Sequence, residues 1–189
     1  MTVENLSGRV LGSPKVHVRC GWQDDVLGEM APLNSTVRDV FIFHNFRKSM
    51  RSSCGSVSWQ VQYSSGRPLR LAGGDGLRMF LTWSMLDTGL GRNKCADKKR
   101  NELVLGFARV RLDSEGREVD WDEAKVYSLH HTKQEMAANY QSSPHSLTSI
   151  LASPDSSLEV LVEMGGGCTA DMNVTVLGQH GATLQMYEL

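Results

Sequence analysis

Asp120, Asp122 and Glu123 crowd into the run Asp120-Trp121-Asp122-Glu123, with His130 and His131 a few residues further on. On an extended chain Asp120 and Asp122 share a face, an arrangement in which two carboxylates offer oxygen to a hard cation. A sugar-transferring enzyme can use such an Asp-x-Asp pair. The motif is short, however, and no glycine loop between a strand and a helix accompanies it. The run is therefore read as an acidic edge strand, whose charge discourages stray pairing with other chains. It is the expected acidic partner surface: Asp120, Asp122 and Glu123.

Nucleophilic and metal chemistry have weaker footings. The chain has no Gly-x-Ser-x-Gly elbow. Cys54 beside His44 or His17, with Arg47, Lys48 and Arg51 nearby, would be a thiolate of lowered pKa, but only the fold can bring them together. An inert cysteine is the simpler expectation. Cys20, Cys54, Cys95 and Cys168 contain no Cys-x-x-Cys pair, so zinc-ribbon spacing is excluded. Free thiols in a reducing compartment are expected. No catalytic residue, metal or cofactor is assigned. The glycine turns Gly73-Gly74-Asp75-Gly76 and Gly165-Gly166-Gly167 lack a following Lys-Ser/Thr, so they are read as hairpin turns, not phosphate cradles.

Two basic clusters are more suggestive. Arg47, Lys48 and Arg51 form one; Arg92, Lys94, Lys98, Lys99 and Arg100 form the other. Together they hold 8 of the 20 Lys and Arg side chains, both in expected connections, where the charges would be exposed. Converging, they would neutralise phosphates of a nucleic acid or an anionic membrane surface. Neither cluster interleaves aromatic residues, so a base-stacking platform is not indicated.

The net charge of −1 conceals an asymmetry. Residues 1–111 carry 17 Lys and Arg against 9 Asp and Glu; residues 112–189 carry 3 against 12. Such a split hints at a polyanion partner, or at an acidic and a basic surface that meet. The competing reading is that the two parts interleave and pair within one molecule.

The elements that must position these groups are mostly strands. Ser56 to Tyr63 alternates strictly, with Val57, Trp59, Val61 and Tyr63 on one face and Ser and Gln on the other, which predicts a sheet with one wet side. Lys15–Cys20 alternates likewise, and Val40-Phe41-Ile42-Phe43 suits a strand buried on both faces. Hairpins are expected about residues 73–76, 113–116 and 165–168, and Thr183–Tyr187 is a closing strand. Residues 1–14 read as a loose arm or edge segment, and 15–189 as a single β-rich domain. Two short helices are expected near 132–152. Thr132 and Glu135 form a capping box, and Ser143-Pro144 opens the second helix, with Leu147, Ile150 and Leu151 on one face. The expected class is a β-rich α+β fold, an antiparallel sandwich or barrel of eight to ten strands.

The N-terminus has no basic stretch followed by an apolar core, and no apolar run approaches the roughly 20 residues of a membrane span. A cytoplasmic location is expected. The functional expectation is a non-enzymatic subunit that forms homo-oligomers through oppositely charged surfaces, like a viral matrix or coat subunit engaging a polyanion. The alternative is a ligand-binding or enzymatic β-barrel with Trp59, Trp83, Phe107 and Trp121 lining its mouth.

Overall fold

A computed structural model of the chain describes residues 1–20, 22–23, 38–40, 43–44, 53–71, 73–85, 101–124, 145–153, 156–164, 172–179 and 186–187. Its strands are β1 (Thr2–Leu6), β2 (Val10–Cys20), β3 (Trp22–Gln23), β4 (Arg38–Val40), β5 (Phe43–His44) and β6 (Ser53–Gln62), followed by β7 (Gly76–Met85), β8 (Asn101–Val110), β9 (His145–Ser153), β10 (Ser156–Met164), β11 (Met172–Gln179) and β12 (Met186–Tyr187). Among the described residues, helical geometry is confined to residues 123–124. The fold is strand-dominated, as the alternating sequence patterns require.

The strands join two principal sheets. One runs β4-β1-β11-β10-β9, the other β12-β8-β7-β6-β2, and β3 pairs with β5 apart from both. β6 to β8 and β9 to β11 are antiparallel ladders, whereas β1 lies parallel to β11 and β12 parallel to β8. The period of two decides what each sheet buries. Val57, Trp59 and Val61 of β6, Leu77, Met79, Leu81 and Trp83 of β7, and Leu103, Leu105 and Phe107 of β8 face inward. They pack in one cluster with Val3 of β1, Val160 and Val162 of β10, and Val174 and Val176 of β11. Each such side chain contributes roughly 1.5–3 kcal/mol when removed from water.

Gly55 shows how closely the strands approach. A Cβ there would lie 2.4 Å from the His17 carbonyl oxygen and 3.0 Å from the Trp83 ring. Only a glycine lets β2 and Trp83 approach β6 this closely. At the far end of the sheet, Leu71 donates its amide to the Asp75 carbonyl, closing a turn through Gly73 (φ 104°) and Gly74 (φ 91°). The turn at 113–116 is closed by the Asp113 amide on the Arg117 carbonyl, 2.9 Å.

Three expectations need correction. The second helix, near residues 143–152, is replaced by β9, which pairs with β10 from Ser156↔Ser153 to Met164↔His145. The i, i+3, i+4 apolar spacing was too short to separate helix from strand, and a full ladder on β10 decided it. The first helix, near Thr132 and Glu135, lies outside the described residues. Residues 2–6 of the expected loose arm form β1, inserted between β4 and β11 with Val3 fully buried. Third, β6 has no wet side. Ser56 and Ser58 are 0% exposed and Gln60 is 4% exposed. What covers them is the chemistry of the molecule's most polar cluster.

Candidate functional site

Ser58 points away from the core because Val57 and Trp59 point into it. On the neighbouring strand β7, Arg78 faces the same way, opposite Gln60 in the ladder, and is 0% exposed. A buried guanidinium needs partners for its donors. Arg78 Nε donates to Ser58 Oγ at 3.0 Å, Nη2 to the carbonyls of Ser13 at 2.7 Å and Ser58 at 3.0 Å, and Nη1 to Glu118 Oε2 at 2.5 Å. The Ser13 carbonyl reaches it from a bulge in β2 between Gly12 and Lys15, where Ser13 adopts a φ of 44°.

A second carboxylate completes the cluster. Ser58 Oγ donates to Glu123 Oε2 at 2.5 Å, Trp121 Nε1 donates to the same oxygen at 2.6 Å, and Ser56 Oγ donates to the Glu123 carbonyl at 3.2 Å. The Trp121 ring lies 5.2 Å from the Arg78 guanidinium carbon, a cation–π contact. Lys15 Nζ adds a bond to Glu118 Oε2 at 3.2 Å. Burial presses the Arg78 pKa down, while Glu118 and Glu123 pull it back up. Among the described residues, Glu118 Oε1 and Glu123 Oε1 are buried without a hydrogen-bond partner.

This cluster fastens the segment after β8 over β6 and β7, and it is closed. Ser58 stands between an arginine and a carboxylate, but neither Ser58 nor Arg78 is open to a substrate. Cys54, which stands opposite Cys20 in the β2–β6 ladder, is a buried cysteine outside any disulfide, at 3% exposure, and is likewise inaccessible. Trp59, Trp83 and Phe107 are packed into the core cluster, and Trp121 rests on Phe80, Val104 and Ala108. The aromatic residues therefore do not line an open mouth.

The acidic run divides. Asp120 is exposed and accepts from Arg111 Nε at 2.5 Å; Asp122 is exposed and accepts from the Ala124 amide at 2.9 Å. Glu123 is only 8% exposed and belongs to the Arg78 cluster, which corrects its assignment to a surface. The run is not a strand, so Asp120 and Asp122 are not a same-face pair on one. Among the described residues, no three His, Cys, Asp or Glu side chains converge to hold a metal. Arg47, Lys48, Arg51, Arg92, Lys94, Lys98, Lys99 and Arg100 lie outside the described residues, as do His130 and His131.

The remaining surface charge is partly sorted by sheet, although Asp75 and Asp122, in connections of the second sheet, also have no cationic partner among the described residues. Lys15, Arg78 and Arg111 of the basic front part pair with Glu118 and Asp120 of the acidic rear part. Arg9, Arg67, Arg70 and Arg109, on the second sheet and its connections, have no carboxylate within ion-pair distance among the described residues. On the first sheet, Glu4 of β1 and Glu159 and Glu163 of β10 have no cationic partner among them. A recess of 560 Å³ lies between two turns of the second sheet, lined by Tyr63, Arg67, Pro68, Arg70, Ser114 and Glu115. Arg67 and Arg70 line it together with Glu115, which Arg117 holds at 2.9 Å, and Arg9 lies over the Tyr63 ring at 5.0 Å.

No family model matches the chain, and a comparison with curated proteins found no match. No helix among the described residues is long and apolar enough to cross a membrane. Sequence reasoning missed Arg78, Glu118 and Ser58. The available signal was an arginine inside the apolar run Leu77–Trp83, facing the same side as Phe80 and Thr82.

Proposed function

We propose that the chain is a non-enzymatic structural subunit, a two-sheet sandwich that self-associates through oppositely charged surfaces. The observation that carries this reading is the segregation of unpaired charge. Unpaired arginines (Arg9, Arg67, Arg70 and Arg109) outnumber unpaired carboxylates (Asp75 and Asp122) on the second sheet and its turns, and Glu4, Glu159 and Glu163 stand without a cation on the outer side of the first. Within the molecule, Lys15, Arg78 and Arg111 pair with carboxylates of the acidic rear part, while Arg9, Arg67, Arg70 and Arg109 have no carboxylate within ion-pair distance among the described residues. Exposed charges of one sign on one surface attract the opposite surface of another copy and steer it into register.

The closed state of the Arg78 cluster supports the non-enzymatic part of the reading, since catalysis needs reacting groups that a substrate can reach. Repeated association of this kind, with the basic runs at 47–51 and 92–100 engaging a polyanion, is the behaviour of a matrix- or coat-like subunit.

Sedimentation velocity across a salt series tests the reading. Between about 0.05 M and about 1 M salt the screening length falls to about 3 Å, so assemblies held by surface charge dissociate. A species whose mass is that of one chain at every salt concentration overturns it.

A further inference from the structure

The outer side of the first sheet has a definite composition, fixed by register. Thr2, Asn173 and Glu163 form one row across β1, β11 and β10; Glu4, Thr175 and Leu161 form the next; Leu6, Leu177 and Glu159 form the third. Directly opposed residues on neighbouring strands project to the same side. The inward residues of these strands, Val3, Val160, Val162, Val174 and Val176, are at most 1% exposed, so the three rows belong to the outside. Leu6 is 53% exposed, Leu161 and Leu177 are half-buried, and Glu163 is exposed. Three leucines thus stand among three carboxylates. Glu159 and Glu163 both lie on β10, which two strands separate from β4.

The complementary surface stands at the next turn of the chain. Leu6 ends β1 and Arg9 precedes β2, and Arg9 covers one side of Tyr63, which is 40% exposed. Arg67 and Arg70 flank the same recess, and both are exposed. Arg70 Nη1 donates only to the Gly74 carbonyl, 3.1 Å, which leaves its charge uncompensated. An aromatic ring between arginines is the surface that covers exposed leucines while its cations meet carboxylates at the rim.

Building on the self-association proposed above, we infer that the outer side of β1, β11 and β10 is the docking surface for a second copy of this chain. The second copy presents its Arg9–Tyr63–Arg67–Arg70 patch. Leu6, Leu161 and Leu177 are the apolar centre of the contact, and Glu159 and Glu163 are its charged rim. Charge complementarity selects this occupant, and an apolar centre accounts for three leucines among the outward residues of β1, β10 and β11.

The experiment uses two charge-reversed chains, Arg67→Glu/Arg70→Glu and Glu159→Lys/Glu163→Lys, in sedimentation equilibrium at low salt. Circular dichroism melts check that each keeps the wild-type fold. Each variant alone should dissociate, its association constant falling by roughly tenfold or more as like charges meet. An equimolar mixture should recover wild-type mass, because each reversed patch then meets a surface of opposite sign. Leu6→Ser should weaken association at all salt concentrations.

If wild type and both variants associate equally, the docking surface assigned here is overturned, while self-association stands. Variants that dissociate but are not rescued by mixing overturn it as well. A wild-type chain that never associates overturns both inferences. Binding of a polylysine peptide through Glu159 and Glu163 by a monomeric chain would assign the surface to a different, basic partner.

Discussion

Arg78 and Glu118 are bonded at 2.5 Å, Nη1 to Oε2, with the two side chains 0% and 5% exposed. The contact joins the middle of the second sheet to the segment that follows β8, and Lys15 of β2 shares the same carboxylate oxygen. Three distant stretches of sequence are thereby held at one point. The cost of burying the charges is offset only while every partner is present.

Arg78→Met is therefore strongly destabilising. It leaves Glu123 buried without its cation and Glu118 with Lys15 alone, and the expected loss is about 3 kcal/mol or more in urea denaturation. Replacing Arg78, Glu118 and Glu123 together by Met, Leu and Leu should recover most of that loss, because no buried charge then remains uncompensated. A single Arg78→Met variant as stable as wild type would show that the cluster does not hold the segment down.

Gly55→Ala probes the approach of β2 to β6. The added methyl meets a backbone oxygen, which cannot rotate away as a side chain can, so the strands must separate. A loss of about 1–3 kcal/mol is expected, with a lowered melting midpoint. Gly66→Ala is the comparison, since nothing lies within 4 Å of its Cβ and only its positive φ of 78° opposes the change.

Much of this architecture is legible from spacing alone, and what is not legible shares one cause. Val57, Trp59 and Val61 announce an inward face by strict alternation, and they are fully buried. Ser56, Ser58 and Gln60 alternate just as strictly, yet their burial depends on Arg78, Glu118 and Glu123, which lie far away in sequence. Local polarity tells whether a residue can accept partners, not whether partners arrive. The segment His145–Ser153 failed for a related reason. Leu147, Ile150 and Leu151 satisfy a helical stripe, but a ladder to β10 is a long-range fact. The acidic run was legible as charge and not as destination: Asp120 and Asp122 face solvent while Glu123 turns inward.

The turn at 113–117 gives a pH signature. Asp113 accepts from Arg117 Nε at 2.8 Å and from the amides of Glu115 and Arg117, and the Arg117 side-chain bond is the main reason its pKa lies below the ordinary 3.8. A carboxyl whose folded pKa is lowered stabilises fully above its unfolded value and loses that contribution as pH falls through the folded one. Arg117→Gln should move the Asp113 midpoint up toward 3.8, as followed by carboxyl carbon NMR, with the backbone bonds retaining part of the shift. An unmoved midpoint would assign the shift to the turn's amides instead.

The basic run at 92–100 supplies a separate prediction. Changing Lys98, Lys99 and Arg100 to Glu should abolish binding to heparin, used as a polyanion, or self-association, and leave the melting midpoint near that of wild type. The salt slope of heparin binding should also flatten, because fewer counterions are released. Heparin binding and oligomer mass both identical to wild type would remove this basic run from the account.

The central claim is association through opposed charges, and light scattering of the unmodified chain against ionic strength tests it most directly. Mass above that of one chain at low salt, falling reversibly toward 20.9 kDa as salt is raised, is the predicted result. A mass of 20.9 kDa at the lowest salt, or an oligomer that salt leaves intact, would contradict it.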